Sequence, residues 1–210
     1  MRTLQFRKFN NVSIPVVKRA VKGSSKGVSK GLPMHWSDEC RAFVDHWAGL
    51  REEGVLMPTS DRFMERPSSD FTPSTYIVDI ENDVAVVRFQ GSALEERWGA
   101  SLTGQDIHGG QAARFRQRSI LNMNHVIAQP CGYLAMNTYT TSYGREVTAD
   151  LVQLPLSTAP GRPPRLVCYV GDDPDRSHVD KMTAFTKTIQ LDWLDLGAGI
   201  PAAAPLDLLS

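Results

Sequence analysis

The chain has 210 residues, 41% hydrophobic and 22% charged, a balance typical of a globular protein that can bury a core. No stretch approaches the roughly 20 apolar residues of a membrane span, and the N-terminus lacks the apolar run of a secretory signal. Cys40, Cys131 and Cys168 form no C-x-x-C pair. This spacing indicates reduced thiols in a cytoplasmic protein and argues against a structural zinc site.

Positive charge is concentrated at the start of the chain. Residues 1–31 contain eight Lys and Arg residues and no acid, so their net charge is +8. The remainder has 23 − 8 = 15 basic and 23 acidic residues, a net charge of −8, and the whole chain is therefore neutral. The Gly, Ser and Lys content of 22–31 is that of a flexible linker. We therefore predict a basic flexible arm over 1–31. It is solvated, lies on the acidic body, or docks on anions. The candidate anion-binding residues are Arg7, Lys8, Lys18 and Arg19.

A helix is predicted from SDECRAFVDHWAGLREEG, over about 37–53. Ser37 can cap its first turn, and Gly54 lies just past its end. Its apolar side chains recur at helical spacing and form one stripe, made of Phe43, Val44, Trp47 and Leu50. The stripe either packs on the protein's own sheet or pairs with its copy in a homodimer, and the sequence leaves both alternatives open.

Strands and helices follow a proline-containing connector. TYIVDI and VAVVRFQG are predicted to form a β-hairpin around the turn END, and SALEERWG a short helix. A long helix is predicted over about 111–129, ended by Pro130. Three strands come next, GYLAMNTYTT, EVTADLVQLPL and RLVCYVG. This order predicts an α+β fold, a five-stranded antiparallel sheet with helices on one face, preceded by the N-terminal helix.

The order of these elements resembles that of a PAS domain. The phrases RFQGSALEERWGASLTGQDI, YGREVTADLVQLPLS and LDWLDLGAGIP look like those of the single-PAS proteins common in alphaproteobacteria, over roughly residues 36–201. The resemblance implies a PAS-like domain with its N-terminal helix at 32–196 and a C-terminal tail at 197–210. It also implies that the short helices and the long helix wall a ligand-sized cavity over the sheet.

Six residues flank this cavity in the predicted order and are expected to line it: Trp98, Phe115, Met123, Ile127, Met136 and Tyr139. Whether the cavity holds a ligand or is filled by its own side chains stays open. In PAS proteins the helix before the sheet often pairs with its copy, so the resemblance also implies that the stripe on the first helix is a dimer interface.

The cofactor is unknown, and neither haem nor flavin is expected. His125 lies late on the long helix, where haem-binding PAS domains carry an axial ligand, but helical geometry need not turn it towards the cavity. None of the three cysteines lies in the NCRFLQ-like helix that the flavin photochemistry of light-sensing PAS domains requires. Asp172, Asp173 and Asp175 lack the register of a calcium loop and are interpreted as a turn, so we predict no metal site.

The resemblance implies a non-enzymatic sensory or interaction module in bacterial signalling. It would bind a small ligand, a partner protein or both, and signal through dimer packing. No kinase, cyclase or DNA-binding domain is recognisable, so we expect the output to act on a separate signalling protein. The alternative is an anion-docking protein that uses the basic arm on nucleic acid or a membrane, which steep salt dependence would reveal. An enzyme would be favoured by a buried carboxylate facing the cavity, for which Asp150 is the candidate.

Overall fold

The computed structural model describes residues 36–171 and 180–208, and the backbone of two short strands near the N-terminus. These strands, β1 (Phe6–Phe9) and β2 (Val12–Pro15), pair antiparallel, with Phe6 opposite Pro15 and Phe9 opposite Val12. The segment predicted to be a flexible arm therefore contains a small β-hairpin.

Two helices precede the main sheet. In α1 (Asp38–Gly49), the side chain of Ser37 accepts a hydrogen bond from the amide of Cys40 at 3.3 Å, which confirms the predicted cap. The helix ends at Gly49, with Leu50 as its C-cap, before the predicted boundary. The connector contains a second helix, α2 (Ser60–Glu65), that was not predicted. Thr59 caps it, because its hydroxyl accepts a hydrogen bond from the amide of Arg62 at 3.1 Å.

Six strands form one antiparallel sheet in the order β4-β3-β7-β6-β5-β8. Their bounds are β3 (Thr75–Glu81), β4 (Val84–Gln90), β5 (Cys131–Thr141), β6 (Glu146–Leu156), β7 (Arg165–Val170) and β8 (Met182–Asp195). The hairpin β3–β4 and the run β5–β6–β7 meet where β3 pairs with β7. The α+β class is therefore as predicted.

The sheet has one strand more than the five predicted. β8 pairs with β5 along its whole length, from Cys131 opposite Asp195 to Thr141 opposite Met182. The register of this pairing shifts at three places. Each shift reverses the alternation of apolar and polar residues, which hides the period of two by which a strand is recognised.

Gly91 joins β4 to the short helix α3 (Ser92–Trp98) because nothing larger fits there. A Cβ atom at this position would collide with the carbonyl oxygens of Thr72 and Pro73. The glycine therefore lets the chain turn from the edge of the sheet into α3 against the neighbouring loop. The long helix α4 (Ala113–Ala128) follows and ends just before Pro130, as predicted.

Helices cover both faces of the sheet. On the α1 face, α1 packs on alternate residues of the strands, among them Ile77, Leu134, Val152, Leu154 and Val167. On the α4 face, α3 and α4 pack on the intervening residues, among them Val78, Tyr133, Ala135 and Cys168. The expectation of helices on one face holds for α3 and α4, whereas α1 covers the opposite face.

The apolar stripe of α1 belongs to the core of the protein. Phe43, Val44 and Trp47 are fully buried within the chain, and Leu50 is 5% exposed. The indole Nε1 of Trp47 donates a hydrogen bond to the carbonyl of Pro155 at 3.1 Å. The interpretation of these four residues as a dimer interface is therefore corrected: their side chains are already covered by the protein's own sheet.

None of the helices in the described part of the chain combines the length and the apolar character needed to cross a membrane.

Candidate functional site

The α4 face carries a cavity of about 200 Å³ that is partly open to solvent. It lies between α3, the segment that leads into α4, the first half of α4, the C-terminal Leu208 and the sheet strands β3, β5, β6, β7 and β8. Its apolar lining includes Trp98, Leu102, Ile107, Phe115, Leu151 and Phe185, and its polar lining Tyr76, His108, Gln111, Ser119, Asn137, Tyr139 and Gln153. An engineered protein cavity of about 150 Å³ binds benzene, so this cavity is large enough for a molecule with a single ring.

Aromatic rings hold the wall of the cavity in place. Phe185 meets the ring of Phe115 edge to face, with 5.0 Å between ring centroids, and that of Tyr139 at 5.9 Å. Tyr76 and Trp98 form a second edge-to-face pair at 5.7 Å. Such pairs contribute stability beyond the area they bury, so the shape of the cavity is set before any ligand enters.

The polar groups on the sheet side of the cavity are held by hydrogen bonds. The amide of Asn137 accepts a bond from the hydroxyl of Thr188 at 3.0 Å and donates one to the hydroxyl of Tyr139 at 3.4 Å. Burial is the main cause that raises the pKa of Tyr139, and it raises that of Tyr76 well above the usual value. Both phenols are therefore neutral at physiological pH.

His108 is the polar residue of the cavity whose bonding is incomplete. It is 6% exposed, and its Nδ1 has no hydrogen-bond partner in the described chain. Oδ1 of Asp106 lies 3.7 Å from Nδ1, which is too far for a hydrogen bond. Oδ1 instead accepts the backbone N–H of His108 at 3.1 Å, and Oδ2 lies 3.3 Å from Nη2 of Arg116.

The imidazole of His108 is neutral at physiological pH. Burial lowers its pKa to about 4, because a charged ring would lose its hydration. The carboxylate of Asp106 acts in the opposite direction, and Arg116 lowers the pKa further. A neutral imidazole carries one N–H donor and one acceptor nitrogen, so His108 can exchange hydrogen bonds with a ligand.

Three of the six predicted cavity residues, Trp98, Phe115 and Tyr139, line the cavity. Met123 and Ile127 belong to the same apolar cluster on the α4 face but lie outside the lining. Met136 lies on the α1 face of the sheet, opposite the cavity, where it packs with the apolar cluster of that face. In a strand, residues three apart point to opposite faces, so Met136 and Tyr139 cannot share one cavity wall.

Two other candidates lie away from the cavity. His125 is half-buried beside Trp193, with 6.1 Å between ring centroids, and is not part of the lining. Asp150 lies on the α1 face, where its Oδ2 accepts a hydrogen bond from the thiol of Cys40 at 3.4 Å. It is therefore not the carboxylate in the cavity that would favour an enzyme.

The predicted C-terminal tail is attached to α4. We call residues 196–208 the C-terminal strap. Asn122 exchanges two hydrogen bonds of 2.9 Å with the backbone of Leu206, and Arg118 donates one to the carbonyl of Asp207 at 2.6 Å. Leu208 is buried and lines the cavity. The strap therefore forms part of the cavity wall, which the sequence did not indicate.

Several predictions concern residues whose side chains lie outside the described part of the chain. Arg7 and Lys8 belong to β1, for which only the backbone is described, and Lys18 and Arg19 are beyond it. Asp172, Asp173 and Asp175 also lie outside. Within the described ranges, all three cysteines are buried and unpaired, and His, Cys, Asp and Glu side chains form no group of three that could hold a metal ion.

A scan of the sequence against protein-family models gives no match, and a search among curated proteins finds no significant similarity.

Proposed function

We propose that the protein is a PAS-type sensory module of the bacterial cytoplasm that binds a small molecule in the cavity on the α4 face. The cavity is the observation that carries the proposal. It lies between the short helix α3, the long helix α4 and an antiparallel sheet, where the resemblance to PAS domains leads one to expect a ligand. Its mixed lining provides apolar contact and a few fixed polar groups, which is the usual character of a ligand site.

The position of the cavity supports a signalling role, because its walls reach the protein surface. Phe185 lies on β8, which forms one edge of the sheet, and Leu208 lies on the C-terminal strap. A bound molecule touches both, so its presence can alter the edge strand and the strap. We propose that a separate signalling protein, or a second copy of this chain, recognises that outer surface and not the buried stripe of α1.

Native mass spectrometry of the full chain, purified from its own host, tests the proposal. We expect a retained small molecule in the wild type and no such adduct in Ser119→Phe, in which the larger side chain occupies the cavity. Leu121→Phe is the matched control, because Leu121 lies on the same helix but is 39% exposed. Absence of an adduct from all three proteins, or an adduct that survives Ser119→Phe, would refute a ligand in this cavity.

A further inference from the structure

The chemistry of the cavity defines the class of ligand that the proposed sensory function requires. We infer that the cavity takes an uncharged single-ring molecule that donates a hydrogen bond to the imidazole of His108. This inference rests on the proposed function and adds to it the residue that recognises the ligand. It follows from the charge, the bonding and the shape of the lining.

The ligand is uncharged because nothing in the described lining would balance a charge. No Asp, Glu, Lys or Arg is among those lining residues. The nearby carboxylate of Asp106 is outside the lining and is paired with Arg116. A charged molecule would lose its hydration on entering and find no opposite charge among these lining residues, which disfavours its binding.

The hydrogen bond to His108 follows from an accounting of polar atoms. Neither ring nitrogen of the cavity-lining His108 has a hydrogen-bond partner in the described chain, and Nδ1 is fully buried as well. Nδ1 is turned towards Asp106, whose carboxylate favours the tautomer with the proton on that nitrogen. Nε2, on the other edge of the ring, is then the acceptor. Asn137, by contrast, already exchanges bonds with Thr188 and Tyr139.

A ring fits because flat aromatic groups face the cavity from several sides. Phe115, Tyr139 and Phe185 come from a helix and two strands, and Phe185 contacts both of the other rings edge to face. The ring of Phe115 also meets the imidazole of His108, with 5.8 Å between centroids. A planar molecule can therefore contact the aromatic wall while its donor group reaches His108.

Calorimetric titration of the full chain at neutral pH with phenol, toluene and benzoate tests the inference. Phenol and toluene have similar size, and phenol adds one donor. We expect phenol to bind about two- to tenfold more tightly than toluene, the range that one net hydrogen bond provides. Benzoate, which carries a charge, should bind more weakly than both.

Variants assign the preference to His108. His108→Phe should abolish the preference for phenol while toluene still binds, and His125→Phe, outside the cavity, should leave the preference intact. If His108→Phe does not fold, the imidazole nitrogen resonances of wild-type His108 give the same answer. The Nε2 resonance should shift on addition of phenol and not of toluene.

The outcomes separate this inference from the proposed function. Equal binding of phenol and toluene, preferred binding of benzoate, or a phenol preference that survives His108→Phe would overturn the inference but leave a ligand-binding cavity. If none of the three probes binds, the inference fails. The native mass spectrum then decides whether the cavity holds a ligand of another class or none.

Discussion

The α1 face and the α4 face of the sheet carry buried apolar clusters of similar size, but among the described residues only the α1 face is completely packed. On the α1 face, Phe43 stacks on Tyr169 at 5.1 Å and meets Phe63 and Phe71 edge to face. On the α4 face, a cavity remains beside α4, and polar side chains such as Asn137 and His108 border it. The same strands contribute alternate residues to the two faces, so the residues of the filled α1 core are distinct from those that line the cavity.

Replacing Trp47 by Glu should give the largest effect. The change removes a fully buried indole and places a carboxylate in an apolar core, which we expect to cost more than about 4 kcal/mol of the free energy of unfolding. Circular dichroism during urea titration should show loss of cooperative unfolding. Met64→Glu is the control, because Met64 is 45% exposed, and it should fold normally. A folded monomeric Trp47→Glu variant would instead support the dimer-interface alternative.

A pair of small-to-large substitutions compares the packing of the two faces directly. Ala48→Leu adds volume to the filled α1 face and should lower the free energy of unfolding by about 1–3 kcal/mol. Ser119→Leu adds a similar side chain beside the cavity and should change it by less than about 0.5 kcal/mol. Chemical denaturation of both variants measures the difference. Equal losses would mean that the cavity side is as tightly packed as the α1 face.

The buried His108 should make the stability of the α4 face depend on pH. Its pKa is lowered to about 4 in the folded protein, below the value of about 6.5 for an unfolded chain. Below pH 6.5 the unfolded state therefore takes up a proton that the folded state does not, and stability falls. We expect His108 to account for a loss of about 1 kcal/mol between pH 7 and pH 5.5.

This pH contribution is measured as a difference between two proteins. Urea unfolding of the wild type and of His108→Gln at both pH values isolates it, because other titrating groups are common to both. The variant should lose less stability than the wild type on acidification. An identical loss in the two proteins would show that His108 is accessible to protons in the folded state.

Deleting residues 1–31 should have the smallest effect on either face. The deletion removes eight positive charges, and we expect the melting midpoint to stay within a few degrees of the wild type. Retention on an anionic resin should fall, with a weaker dependence on salt. A variant with Arg7, Lys8, Lys18 and Arg19 changed to Gln tests the charge alone. A larger fall in the midpoint would mean that the arm packs on the body.

Elements with local signals could be predicted from the sequence. Ser37 marks the start of α1, and Pro130 the end of α4, because capping and the missing proline N–H act within one turn. The turn at Asn82 and Asp83 is of the same kind. Both residues have left-handed φ angles, 50° and 62°, which a two-residue hairpin requires and which Asn and Asp tolerate better than most residues.

Features that depend on distant contacts could not be predicted in this way. β8 was missed because its bulged pairing with β5 breaks the alternation of residues. The C-terminal strap is held by the side chain of Asn122 bonding to the backbone of Leu206, and such a contact leaves no periodic pattern. His108 becomes a candidate only when Asp106, Phe115 and the cavity are in place around it. The order of the elements placed Trp98, Phe115 and Tyr139 correctly beside the cavity. It could not show which face of β5 Met136 occupies, or that Met123 and Ile127 pack in the apolar cluster beyond the lining.

The bond between Trp47 and Pro155 has a consequence for how the chain is made. Its two residues are 108 positions apart, so α1 leaves the ribosome well before the strands that bury it. At synthesis rates of about 5–20 residues per second, the strand that contains Pro155 is made roughly 5–20 s after the apolar stripe of α1. During that time Phe43 and Trp47 are exposed to other nascent chains. A stripe that is fully buried in the finished protein is thus exposed in the growing chain, where a chaperone can protect it.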